Sequence, residues 1–98
     1  MKPPPEELND AKICLYSVID HRHKPTGGCK HTVGGELMGT ASALAICQYA
    51  DQNDYYLFYC DEDWQVLNDT WCQTIDDALN QAEFEYTGVK ETFQTVPS

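Results

Sequence analysis

The sequence predicts an α+β fold: an antiparallel sheet, a meander of about four strands, with one carboxy-terminal helix packed on one of its faces. Three observations carry this expectation. The run Tyr55-Tyr-Leu-Phe-Tyr-Cys60 is the clearest strand in the chain, rich in aromatic residues that favour a pleated surface. The clusters Asp51-Gln-Asn-Asp54 and Asp61-Glu-Asp63 separate that run from apolar stretches on either side, the spacing of consecutive hairpins. Apolar residues recur at helical period near the carboxy terminus, where Ile75, Ala78, Leu79, Ala82 and Tyr86 fall on one stripe.

Each element follows in order. Residues 1–10 read as a flexible tail, with Pro3, Pro4 and Pro5, two glutamates and the Asn9-Asp10 pair; residues 11–98 read as a single α+β domain. Ala11 to Ile19 form a short apolar strand. Residues 20–40 hold five of the six glycines, so the backbone there turns tightly or stays mobile. A long structureless loop is uncommon in a small domain, so His31 to Met38 are expected to form a short hairpin or edge strand. Ala43-Leu-Ala-Ile-Cys-Gln-Tyr49 reads as a buried strand, although its alanines leave a helix open. Tyr55–Cys60 comes next, and Trp64-Gln-Val-Leu-Asn-Asp-Thr-Trp71 returns the chain. Thr74 stands three residues ahead of Asp77, a variant of the capping box, with Asp76 and Asp77 at the positive end of the helix dipole. Gly88 is placed to end that helix, and Val89 to Val96 add a final strand.

Composition sets the function classes. The chain has 98 residues, 42% of them hydrophobic, which fits one folded domain rather than a disordered segment. Sixteen acidic against six basic residues, a net charge of −10, exclude nucleic acid as a direct ligand, since phosphate binding depends on Lys and Arg. The same balance disfavours anionic membrane surfaces and favours a basic protein partner. No apolar run is long enough to span a membrane, and the Met-Lys-Pro-Pro-Pro start lacks the apolar stretch of a signal peptide, so a cytoplasmic protein is expected. The five cysteines include no Cys-x-x-Cys pair, and Cys14, Cys47, Cys60 and Cys72 lie in apolar surroundings that suit core thiols. Asn68-Asp-Thr70 matches a glycosylation acceptor, which has no use in an unexported protein.

The one concentration of metal-ligand side chains is His21-Arg-His-Lys-Pro-Thr-Gly-Gly-Cys-Lys-His31, which also carries half of the six basic residues. His21, His23, Cys29 and His31 offer zinc two ligand pairs across a Pro-Thr-Gly-Gly turn. The alternative is a locally basic loop whose histidines face water, and single-residue ligand spacing with three neighbouring cations favours that alternative. Cys29 activated by a histidine would be a nucleophile, but adjacency in sequence does not establish a dyad. The doublets Gly27-Gly28 and Gly34-Gly35 match no phosphate-loop pattern. No catalytic residue is identified, and no cofactor is expected beyond the zinc alternative.

Seven of the eleven aromatics, Tyr49, Tyr55, Tyr56, Phe58, Tyr59, Trp64 and Trp71, lie between residues 49 and 71 beside Asp51, Asp54, Asp61, Glu62, Asp63 and Asp69. Alternation places Tyr56 and Phe58 on one sheet face, and a single helix covers only the other face. An exposed aromatic face rimmed by carboxylates has the character of a protein-interaction patch, with Tyr56, Phe58, Trp64, Asp61 and Asp63 as its candidate contacts. The chain's own loop or a dimer mate covering that face is the competing reading. Phe84 lies opposite the helix stripe and is a further candidate contact.

The stretch Tyr55 to Trp71, followed by Asp76-Asp-Ala-Leu-Asn-Gln-Ala-Glu-Phe-Glu-Tyr86, resembles a group of short uncharacterised bacterial proteins. The resemblance covers about a third of the chain and implies a strand–strand–helix unit, with no activity or cofactor. The sequence therefore points to a non-enzymatic acidic protein-binding module, of which an inhibitor or immunity-type protein is a specific form, or alternatively to a metal-binding protein using loop 21–31.

Overall fold

The computed structural model describes residues 2–20, 24–25, 32–33, 36–37 and 41–96. Strands β1 (Glu7–Leu8), β2 (Ala11–Val18), β6 (Ala43–Gln48), β7 (Tyr55–Cys60) and β8 (Val66–Cys72) form one antiparallel sheet in the order β1-β2-β6-β7-β8. Helix α1 (Ile75–Glu85) packs on one face of it. Two small pairs complete the strands: β3 (Lys24–Pro25) with β9 (Tyr86–Thr87), and β4 (Thr32–Val33) with β5 (Glu36–Leu37). The α+β architecture matches the sequence expectation, and the β4–β5 pair is a short hairpin inside the 31–38 segment.

The sheet has five strands rather than about four, and the extra one comes from the segment expected as a tail. Asn9 and Asp10 adopt left-handed backbone angles (φ 48° and 71°), which these two residue types tolerate best after glycine, and together they turn the chain sharply. The turn lays Leu8 against Ala11 and buries both. The carboxy-terminal segment also departs from expectation. Instead of a full strand it makes a short 3₁₀ turn at Lys90–Thr92, and Gln94 alone bridges to Tyr16, exchanging both backbone bonds at 2.9 Å.

Helix α1 begins as its capping pattern predicts, with Thr74 Oγ1 accepting from the Asp77 N–H at 3.0 Å. It ends earlier than the sequence suggests. Tyr86 leaves the helix for an extended conformation, and Gly88 (φ 93°) serves the turn after β9 instead of closing the helix directly.

Two apolar clusters lie on the two faces of the sheet. On the helix side, Leu44 and Ile46 of β6, Leu57 and Tyr59 of β7 and Cys72 of β8 meet Ala78 and Ala82, small residues that let the helix approach closely. On the distal face, Ile13 and Tyr16 of β2, Ala43, Ala45 and Cys47 of β6, and Phe58 and Cys60 of β7 pack with Trp64. A β-bulge between Ile13 and Leu15 leaves Cys14 as the additional residue, which keeps Ile13 and Tyr16 on the same face although they are three positions apart.

Candidate functional site

The loop between β7 and β8 decides what the distal face shows to solvent. Asp61 closes it: its carboxylate accepts from the backbone N–H groups of Asp63 (2.8 Å) and Gln65 (2.9 Å), and its own N–H donates to the Gln65 carbonyl at 3.0 Å. These bonds hold Trp64 at φ 63°, a left-handed conformation that costs an ordinary L-residue roughly 1–2 kcal/mol. The indole consequently folds back over Ala43, Ala45 and Phe58, where the two alanines leave depth for it. It meets Tyr16 edge-on, with centroids 5.8 Å apart at 77°.

This arrangement corrects two of the expected contact residues. Phe58 is 1% exposed and Trp64 is 6% exposed, so neither ring is open to solvent in this structure. Asp61 is half-buried and spends its carboxylate on the turn. Asp63 is exposed and lies 3.1 Å from the Lys2 ammonium. Phe84 is 56% exposed, but it sits on the helix, on the opposite side of the sheet from Tyr56. The six expected residues therefore do not make one surface.

What the sheet does gather is a different set at the other end of the distal face. Tyr56 stands directly across the β7–β8 ladder from Trp71, which is 56% exposed. Tyr49 meets Tyr56 edge-on at 5.5 Å and 82°, and Tyr56 stacks on Phe58 at 6.1 Å. The Trp71 Nε1–H donates to Asp54 Oδ2, which fixes the edge of the indole while leaving its ring open to solvent. Asp69, two residues before Trp71 on β8, lies on the same face and is exposed. The Tyr49 hydroxyl is held above the ordinary tyrosine range, first by burial and then by Tyr56, Asp69, Asp10 and Cys47, so the carboxylates of Asp69 and Asp10 act at this cluster.

The register hid this grouping from the sequence. Pairing runs Tyr56 with Trp71 and Phe58 with Asp69, then shifts at Cys60, which faces Val66. The expectation began the return strand at Trp64, whereas Trp64 belongs to the turn. In one continuous strand Trp64 and Trp71, seven positions apart, would fall on opposite faces; as a turn residue Trp64 folds back onto the face that Trp71 shares with Tyr56.

A second polar group is buried under the helix. Glu85 is 4% exposed, accepts from the Tyr59 hydroxyl at Oε2 and from Gln81 Nε2 at 3.3 Å, while Tyr59 also lies 3.1 Å from Thr70 Oγ1. The chain ties α1, β7 and β8 together through polar atoms inside an apolar cluster. Its signal was present in the sequence: Glu85 falls at helical spacing from Ala78 and Ala82, on the stripe that faces the sheet. Replacing Tyr59 with Phe removes a donor from this carboxyl and is expected to cost roughly 1.5–3 kcal/mol in chemical denaturation. A loss below about 0.5 kcal/mol would mean that the network contributes nothing to stability.

Among the described residues, burial holds all four thiols above the ordinary thiol range, which favours the protonated form at neutral pH. Cys47, Cys60 and Cys72 are buried and free, and burial pushes each thiol upward, Cys60 to about 12. The half-buried Cys14 is raised by burial against a smaller opposing effect of Lys12. His21, His23, Cys29 and His31 lie outside the described residues. Among the described residues, no group of three or more His, Cys, Asp or Glu side chains is placed to hold a metal ion, and no helix is long and apolar enough to cross a membrane. No protein-family model, curated protein or solved structure matches the chain.

Proposed function

We propose that this chain is a non-enzymatic protein-binding module whose working surface is the Tyr49–Tyr56–Trp71 end of the distal sheet face, and that its partner is a basic protein. The observation that carries the reading is Trp71: 56% exposed, its edge anchored by Asp54, its ring free to receive a contact. A planar ring fixed in this way loses little freedom on binding, which suits an interface anchor. Asp54 at its edge, with Asp69 and Asp10 acting at the neighbouring Tyr49, adds negative charge to this end of the face, and the net charge of −10 steers a cationic partner toward the molecule. A guanidinium or ammonium group over the indole is favoured both by the ring quadrupole and by the flanking carboxylates. Masking of a basic protein, as an inhibitor or immunity-type protein does, is one form of this activity. A cytoplasmic setting suits the four free thiols described here.

Calorimetric titration with an arginine-rich decapeptide, with the Trp71 indole N–H resonance of the parent chain locating the contact, tests the reading. Binding is expected to weaken as salt rises. Trp71→Ala is expected to lower the affinity by about 0.5–2 kcal/mol, roughly twofold to thirtyfold. Equal affinity of the variant and the parent chain would reject the surface.

A further inference from the structure

Trp64 keeps a left-handed backbone inside the Asp61–Gln65 turn, and strain of this kind persists where the surrounding structure requires the side chain in one place. What the ring does there is specific. Its Nε1–H donates to the carbonyl oxygen of Lys2 at 2.8 Å, and Tyr16 stands edge-on beside it. Lys2 leads into Pro3-Pro4-Pro5, the last two half-buried, and the Lys2 ammonium pairs with Asp63 at the same turn.

Three consecutive prolines have no N–H to donate, so they cannot join a strand ladder, and their fixed φ makes the segment stiff before it meets anything. Its backbone can be recognised only through its carbonyl groups, by a donor such as an indole N–H. The amino-terminal segment behaves accordingly. Its first ladder-like bond comes immediately after the prolines, where the Ile13 N–H donates to the Glu6 carbonyl at 3.0 Å. An indole donor, a second aromatic ring and a carboxylate for the flanking cation are the parts from which aromatic grooves for proline-rich peptides are built.

We propose that the Tyr16–Trp64 cleft is a polyproline-recognition site, filled in this structure by the chain's own residues 2–5. Its ligand class is a proline-rich peptide with a basic residue immediately ahead of the prolines, and Asp63 sets the direction in which that peptide lies. The site is separate from the Trp71 surface: Trp64 follows the Cys60 end of β7, whereas Trp71 faces Tyr56 at the other end. A tethered segment competes at an effective concentration on the order of millimolar, so free peptide does not enter the parent chain, and weakening the tether opens the site.

The chain holds two tryptophans, one in each site, so their indole N–H resonances report the two sites separately. In the full-length variant Pro3→Gly/Pro4→Gly/Pro5→Gly, the Trp64 resonance is expected to leave its parental position. A synthetic peptide of residues 2–7 then restores it saturably in the low-millimolar range or below, while the Trp71 resonance stays in place. Adding Asp63→Asn is expected to weaken that peptide by roughly twofold to fivefold, the scale of an exposed ion pair. If the triple variant does not fold, Pro4→Gly alone takes its place in the same titration. An unmoved Trp64 resonance in the glycine variant, or no saturable response to peptide up to about 5 mM, overturns the proposal and leaves the Lys2 contact as an ordinary cap on a core indole.

Discussion

Trp64→Ala is expected to destabilise the protein by about 3–5 kcal/mol, the range for removing a large buried aromatic. The ring is 6% exposed and packs in one cluster with Tyr16, Ala43, Ala45 and Phe58, so its loss leaves a void that the two alanines are too short to fill. Two losses accompany the void: the edge-on contact with Tyr16 and the indole bond to the Lys2 carbonyl. Alanine keeps the Cβ that makes the left-handed position costly, so no backbone strain is relieved in return. Trp71→Ala is the matching control. That ring is 56% exposed, and its removal is expected to cost less than about 1 kcal/mol. Guanidinium denaturation of both variants separates the two roles. Similar losses for the two would contradict the division of the distal face into a packed end and an open end.

Stability is expected to fall steeply above pH 9. The ordinary thiol value is 9.0; in the folded chain burial holds Cys60 near 12 and pushes Cys47 higher still. Above pH 9 the unfolded chain releases these protons while the folded chain keeps them, so rising pH favours unfolding. The stabilisation is complete below pH 9 and disappears as the pH climbs through the folded value. Each buried thiol contributes a slope of about 1.4 kcal/mol per pH unit in that window, so two of them remove about 5 kcal/mol between pH 9 and pH 11. Loss on that scale is comparable with the whole stability of many small domains. Denaturant midpoints at pH 8, 9, 10 and 11 under reducing conditions measure it. Cys47→Ala is expected to flatten the slope by about one proton's worth, and a parent chain equally stable at pH 8 and pH 11 would refute the argument.

Local chemistry made several elements legible. The aromatic density of Tyr55–Cys60 and the apolar run from Ala11 mark strands in themselves, because β-favouring side chains act through their own backbone and nearest neighbours. Thr74 and Asp77 mark a helix start by a contact three residues long. Strand β1 was not legible. Its short ladder depends on Asn9 and Asp10 both entering the left-handed region and on Leu8 finding room beside Ala11, neither of which a proline-rich opening suggests. The end of α1 was misplaced for a similar reason. Tyr86 leaves the helix for a pairing with Pro25 and donates its place there to the sheet side, where its hydroxyl accepts from the Ala41 N–H at 3.0 Å.

Of the candidate contacts, the residue classes were readable and their grouping was not. That aromatics and carboxylates crowd residues 49–71, that the charge is strongly negative and that the fold is α+β with one helix on a sheet all follow from composition and periodicity. Which aromatics reach solvent depends on one loop. A five-residue turn with Trp64 in the left-handed region, in place of a strand beginning at Trp64, sends one indole into the core and leaves the other outside. The register shift at Cys60 then sets Trp71 opposite Tyr56. Burial is a property of the closed sheet, in which Ala43 and Ala45 on a strand far from Trp64 in sequence provide the depth that receives it. Sequence alone determined that this chain folds as an acidic sheet-and-helix domain rich in aromatic side chains; only the tertiary structure decided which tryptophan is buried and which one is exposed, because that choice rests on long-range packing and not on either residue's neighbours.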